Sequence, residues 1–142
     1  MFRQLDDNIL VAPQIAVADV ADAKARGVTL VINNRPEGEA PDQTPGDDIE
    51  AAVRAAGLDY IAIPITHSGF SEPQVKAMVD ALNSAEGGVL AYCRSGTRST
   101  NLWALAMASQ GEHPAVLTEK AEKAGYDISA LTPLMDMLRS RA

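Results

Sequence analysis

Val89-Leu90-Ala91-Tyr92-Cys93-Arg94-Ser95-Gly96-Thr97-Arg98-Ser99 is the stretch on which the reading of this chain turns. Its first four residues suit a short strand covered on both faces, and they deliver the chain into a cysteine followed by small, polar and basic residues. A helix from about Ser99 to Gln110 is expected next. A tight, glycine-containing turn at the head of a helix can gather backbone N–H groups around one point, where the helix terminus adds partial positive charge. Such a loop binds anions. The same field stabilises a thiolate and Arg98 adds a full charge, so Cys93 is expected to be nucleophilic at neutral pH. Cys93 and Arg98 are candidate catalytic residues, with Arg94, Ser95, Gly96 and Thr97 as candidate anion-binding residues. Ser99 is expected to donate a hydrogen bond to the sulfur. A lone cysteine is more often a small buried hydrophobe, but an inert core position needs neither flanking arginines four residues apart nor three small polar neighbours.

Upstream, Met1 to Leu5 and Ile9-Leu10-Val11-Ala12 read as an opening hairpin around Asp7-Asn8. A helix over 17–26 ends at Gly27, and Val28-Thr29-Leu30-Val31-Ile32 is a second buried strand, stopped by Asn33-Asn34-Arg35-Pro36. Residues 37–46, rich in Glu, Pro, Gly and Asp, are expected to be flexible. They contain Thr44-Pro45, an N-cap and N1 pair opening a helix to Ala56. The acids Asp42, Asp47 and Asp48 read as ordinary loop and helix-start charges. Tyr60-Ile61-Ala62-Ile63 is the next strand, and Ser71-Glu72-Pro73 opens a helix with Val75, Met78, Val79 and Leu82 on one face. Two further helices are expected near 115–124 and 129–140. Trp103 reads as core, Met135, Met137 and Leu138 as packing of the last helix, and His113 as surface. Strands alternating with helices need crossover connections, so the fold class is α/β, with a mainly parallel central sheet flanked by helices and reactive groups at the carboxyl ends of its strands.

The 142 residues are the size of one domain, which is expected to span 1–142. The formal charge of -7 disfavours nucleic acid and anionic lipid as partners. The chain has no apolar run of membrane-spanning length and no signal-peptide order at Met1 to Asp7, so a cytoplasmic location is expected. One cysteine excludes an internal disulfide, and with two histidines it makes a poor metal-ligand set. Neither a metal nor a cofactor is expected. The partner is expected to be a small anionic or thiol substrate. Two residues outside the loop are candidates for the same site: His67, on a turn between a strand end and Gly69-Phe70, and Arg35, at the end of the preceding strand.

Four residues separate Cys93 from Arg98, so the loop resembles the active-site loop of rhodanese-type sulfurtransferases; cysteine phosphatases have five. The segment from Ile9 to Pro36 resembles the beginning of dual-specificity phosphatase domains. Together, Asn33-Asn34-Arg35-Pro36, Ile63-Pro64-Ile65 and Ala91 to Ser99 resemble the phosphatase-like domain of the bacterial beta-lactamase-hydrolase-like family. That resemblance implies a dual-specificity-phosphatase-like fold and a Cys93 nucleophile. Family members also occur fused to metallo-β-lactamase-type modules resembling persulfide dioxygenases, which implies a persulfide-metabolising partner. Two departures stand against phosphatase chemistry. The loop is one residue short, and Ile65-Thr66-His67-Ser68-Gly69-Phe70 carries no carboxylate where such phosphatases have an aspartate to protonate the leaving group, leaving His67 as the candidate acid. The expected function is therefore sulfur transfer through a Cys93 persulfide, from thiosulfate or a glutathione persulfide. The alternative is phosphomonoester hydrolysis through a Cys93 phosphocysteine, and a non-catalytic redox-sensing module is a third possibility.

Overall fold

A computed structural model describes residues 1–142. The strands are β1 (Arg3–Asp6), β2 (Ile9–Ala12), β3 (Val28–Asn33), β4 (Asp59–Ala62) and β5 (Gly88–Tyr92). They form one sheet in the order β1-β2-β5-β3-β4. Only the β1/β2 hairpin is antiparallel; β2/β5, β5/β3 and β3/β4 are parallel. The α/β class and the mainly parallel sheet are as expected.

The helices are α1 (Val20–Ala25), α2 (Gly46–Ala55), α3 (Glu72–Ser84), α4 (Thr97–Ser109), α5 (Pro114–Lys123) and α6 (Thr132–Ser140). Pleating sends successive residues of each strand to opposite faces, and each face meets a different helical layer. Leu30, Ile32, Val89 and Ala91 join a core with Leu102, Trp103, Leu105, Leu117 and Met135. Val31, Leu90 and Tyr92 join a second core with Val20, Ile49 and Val53 from α1 and α2. Helix α4 is buried over most of its length, including Leu102, Trp103, Ala104, Leu105 and Ala106. It packs against α3, α5 and α6 as well as the sheet side, so its first turn is held from several directions. No helix is long and apolar enough to cross a membrane.

Several boundaries differ from the sequence reading. The helix expected over 17–26 opens with a 3-10 turn at Val17–Asp19, pinned where Asp19 accepts the Ala16 N–H. The last helix likewise opens with a 3-10 turn at Ser129–Leu131. Helix α2 begins at Gly46 with Pro45 as its N-cap, because the Glu37 carboxylate accepts the Gly46 N–H at 2.7 Å in the place expected for Thr44. Met135 is buried as expected, but Met137 lies on the outer face of α6 at 42% exposure and does not pack. Helix α4 starts two residues early, at Thr97, which places Arg98 and Ser99 in its first turn.

Candidate active site

The site is assembled where β3, β5 and the segment after β4 end together. Asn34, fully buried just past β3, joins them. Its N–H donates to Tyr92 O at 2.8 Å, its carbonyl accepts from Ile65 N–H at 2.9 Å, and its side-chain amide donates to Ile63 O at 2.9 Å. The remaining acceptor, Asn34 Oδ1, takes the Ser99 hydroxyl at 2.8 Å. This corrects the role expected for Ser99. Its hydroxyl ties the first turn of α4 to the end of β3 and does not reach the sulfur, because a buried amide oxygen without a donor would cost more than a weak bond to sulfur returns.

Cys93 follows β5 and is fully buried. Its N–H donates to Ala12 O, and the Gln14 N–H donates to Arg94 O, so the segment after β2 lines one side of the loop. The chain then turns at Gly96, whose φ of +92° is the left-handed region that glycine adopts without strain. That conformation aims the Gly96 N–H at Cys93 Sγ, 3.1 Å away. The amides of Arg94, Ser95, Arg98 and Ser99 have no partner within the chain and remain free for a guest anion. Of the other candidate binding residues, Arg94, Ser95 and Thr97 are exposed on the rim, where the Ser95 hydroxyl donates to Thr97 Oγ1 at 3.0 Å.

Arg98 points inward. Its Nη1 donates to Ile65 O at 2.7 Å and to Glu39 at 2.8 Å, and its Nη2 donates to the other Glu39 oxygen at 2.8 Å. A guanidinium has five N–H donors. Three are engaged, leaving Nε–H and one Nη2–H on the same edge, the fork that suits an oxyanion. Arg35, 5% exposed, donates to the same carboxylate at 2.9 Å and to Gln14 Oε1 at 3.1 Å. Two arginines therefore share one acid, and the cluster keeps a net charge of +1. The Arg98 guanidinium, followed by that of Arg35, holds the Glu39 carboxyl down at about 2 although its burial opposes this. In return Glu39 raises Arg98 further above its ordinary value, and the neighbouring Cys93 charge acts in the same direction.

Glu39 escaped the sequence reading because residues 37–46 look like a polar, flexible linker. The segment is in fact cross-tied: Glu39 N–H donates to Gln43 Oε1, and the Gln43 amide donates to Pro36 O. A carboxylate four residues after Arg35 was the available signal. Tyr126, between α5 and α6, was also missed. Its hydroxyl donates to Ser95 O at 3.1 Å and would collide with a side chain at position 96. His67 lies exposed on the turn after β4, with no side-chain hydrogen bond; its neighbour Thr66 pairs with Ser68. Two open grooves, about 560 Å³ beside His113 and Thr132 and about 470 Å³ between α3 and α6, do not have Cys93 in their lining. Chemistry rather than cavity size identifies the centre.

Known proteins and structures resemble nearly the whole chain. A curated beta-lactamase hydrolase-like protein from Agrobacterium fabrum is 32% identical over 130 residues, covering 91% of this chain. The chain spans only 30% of that relative's length. A crystal structure from Neisseria meningitidis, described as a putative phosphatase, superposes with TM-score 0.84 at 28% identity, covering 96% of this chain and 97% of that one. A mouse putative dual specificity phosphatase shares the fold at TM-score 0.67 and 16% identity, covering 98% and 86%. The fold is thus of the dual-specificity-phosphatase type. Residues 1–110 match the family model described as "Beta-lactamase hydrolase-like protein, phosphatase-like domain", and the chain belongs to that family.

Proposed function

We propose that this chain is a thiolate enzyme that moves a small group through a covalent intermediate on Cys93, and that the group is a sulfane sulfur. The observation that carries the reading is the four-residue loop closed on a fully buried sulfur. A buried sulfur is reached more readily by a terminal sulfur atom than by a phosphoryl group with three equatorial oxygens. The absence of a carboxylate between Ile65 and Phe70 agrees, because sulfite or a thiolate leaves without protonation. In the step, the Cys93 thiolate attacks the outer sulfur of thiosulfate or of a glutathione persulfide. The donor's S–S bond breaks, its electron pair leaves on sulfite or on the donor thiolate, and Cys93 becomes a persulfide. An acceptor thiolate then takes the outer sulfur and restores Cys93. The free edge of Arg98 and the unpaired loop amides would hold the donor's anionic end.

Phosphomonoester hydrolysis is the second reading, and the family description and the Neisseria relative favour it over sulfur transfer. Cys93 would attack phosphorus, Arg98 would grip two phosphoryl oxygens, and His67 would protonate the leaving group. One paired assay separates the two. After thiosulfate or glutathione persulfide, intact-mass measurement is expected to show one added sulfur atom on the parent protein and none on Cys93→Ser. Turnover of an aryl phosphate that disappears in Cys93→Ser, with no sulfur uptake, would establish the phosphatase instead. The relative's greater length leaves room for a second module, and a persulfide-metabolising one would suit the sulfur-transfer reading.

A further inference from the structure

Tyr126 lies outside the 1–110 region that the family model matches, yet it reaches back to the reactive loop. Its place is fixed from both ends of the chain. Tyr126 N–H donates to Ala121 O, the Arg3 guanidinium lies 5.9 Å from its ring centroid, and Arg3 Nη1 donates to Ala124 O at 3.0 Å. The hydroxyl is thereby aimed at Ser95 O. That carbonyl belongs to the Ser95–Gly96 peptide, whose other end is the Gly96 N–H bonded to Cys93 Sγ. One peptide plane therefore carries a hydrogen bond at each end: tyrosine hydroxyl to carbonyl, and amide to sulfur.

We infer that Tyr126 is a positioning residue for the Cys93 thiolate, acting through the Ser95–Gly96 peptide. A bond accepted at a carbonyl polarises the same amide and strengthens the bond its N–H donates. The Tyr126 bond also opposes rotation of this peptide, to which the glycine φ of +92° would otherwise offer little resistance. A stronger, fixed N–H bond to sulfur favours the ionised form. Three elements act on the sulfur: the charged Arg98 from α4, Glu39 through Arg98 from the loop after β3, and the neutral Tyr126 hydroxyl from the segment after α5. Of these, only Tyr126 acts through the backbone. The inference is independent of which group Cys93 transfers, because it concerns the sulfur before any substrate arrives.

The test is Tyr126→Phe, which keeps the ring and removes the donor. The rate of Cys93 alkylation by iodoacetamide, followed against pH, is expected to keep its high-pH plateau within about 2-fold while its midpoint moves to higher pH. In amide spectra the Gly96 N–H resonance is expected to move toward the position of a weaker hydrogen bond. A folded variant with unchanged midpoint and unchanged Gly96 resonance would overturn the inference, and so would a loss of thermal stability with the midpoint unchanged. A shifted midpoint with an unmoved Gly96 resonance would also overturn it, since the hydroxyl would then act on the sulfur through space. If Tyr126→Phe fails to fold, Arg3→Ala keeps the hydroxyl but loosens its aim, and a midpoint identical to the parent's would count equally against the proposal.

Discussion

Replacing Glu39 by glutamine removes the one negative charge that Arg35 and Arg98 share. The carboxyl is held at about 2 in the folded chain against 4.5 as its ordinary value. Its contribution to stability is therefore complete above about 4.5 and is lost as pH falls toward 2. Glu39→Gln is expected to cost about 1–3 kcal/mol at pH 7, less than the ~3–5 kcal/mol of a fully buried pair because both partners keep slight exposure. The urea midpoints of parent and variant should converge between pH 4.5 and 2; a gap that persists at the acid end would contradict the assignment. Ser99→Ala leaves Asn34 Oδ1 without its donor, so a loss of about 1–3 kcal/mol is expected, with Cys93 alkylation within ~2-fold of the parent. A large fall in alkylation at unchanged stability would return Ser99 to the sulfur. His67→Ala is expected to leave sulfur transfer within about 3-fold. A fall in aryl phosphate turnover of the ~10²–10⁴ typical of a lost general acid would favour the phosphatase reading.

The elements that place the site are those with the plainest apolar patterns. β3 and β5 were legible because strands covered on both faces must be continuously apolar, and that pattern led directly to Cys93. β4 is half legible: as an edge strand it leaves Ile61 exposed, so its run of apolar residues marks pairing rather than burial. The starts of α2 and α4 were misread because each is set by a long-range or backbone feature, Glu37 in one case and left-handed Gly96 in the other. Gly96→Ala tests the second. The left-handed conformation alone costs about 1–2 kcal/mol for an L-residue, and the added carbon meets the Tyr126 hydroxyl. Unfolding should shift by at least that amount and Cys93 alkylation should slow; a variant as stable and as reactive as the parent would show that the turn tolerates a side chain. Trp103, fully enclosed in α4, sets the layer beneath the loop, and Trp103→Ala is expected to cost about 3–5 kcal/mol by calorimetry.

At the scale of the whole molecule, contacts distant in sequence carry what the sequence could not display. The loop from Cys93 to Arg98 announces itself as one uninterrupted string, whereas Glu39 lies 59 residues from Arg98, and Tyr126 lies 31 residues from Ser95. No local pattern encodes either meeting. Periodicity reports which face of an element is buried, and it is silent on which polar side chain will cross from another layer to satisfy an arginine or a carbonyl. The ends of the chain are joined in the same way, with Lys120 paired to Asp6 and Arg3 bonded to Ala124 O.

That joining bears on the order of events during synthesis. Cys93 leaves the ribosome well before Tyr126, and the Ser95 carbonyl has no hydroxyl to receive until α5 has packed against β1. A growing polypeptide would therefore hold its sulfur without this added restraint until α5 and the segment after it dock.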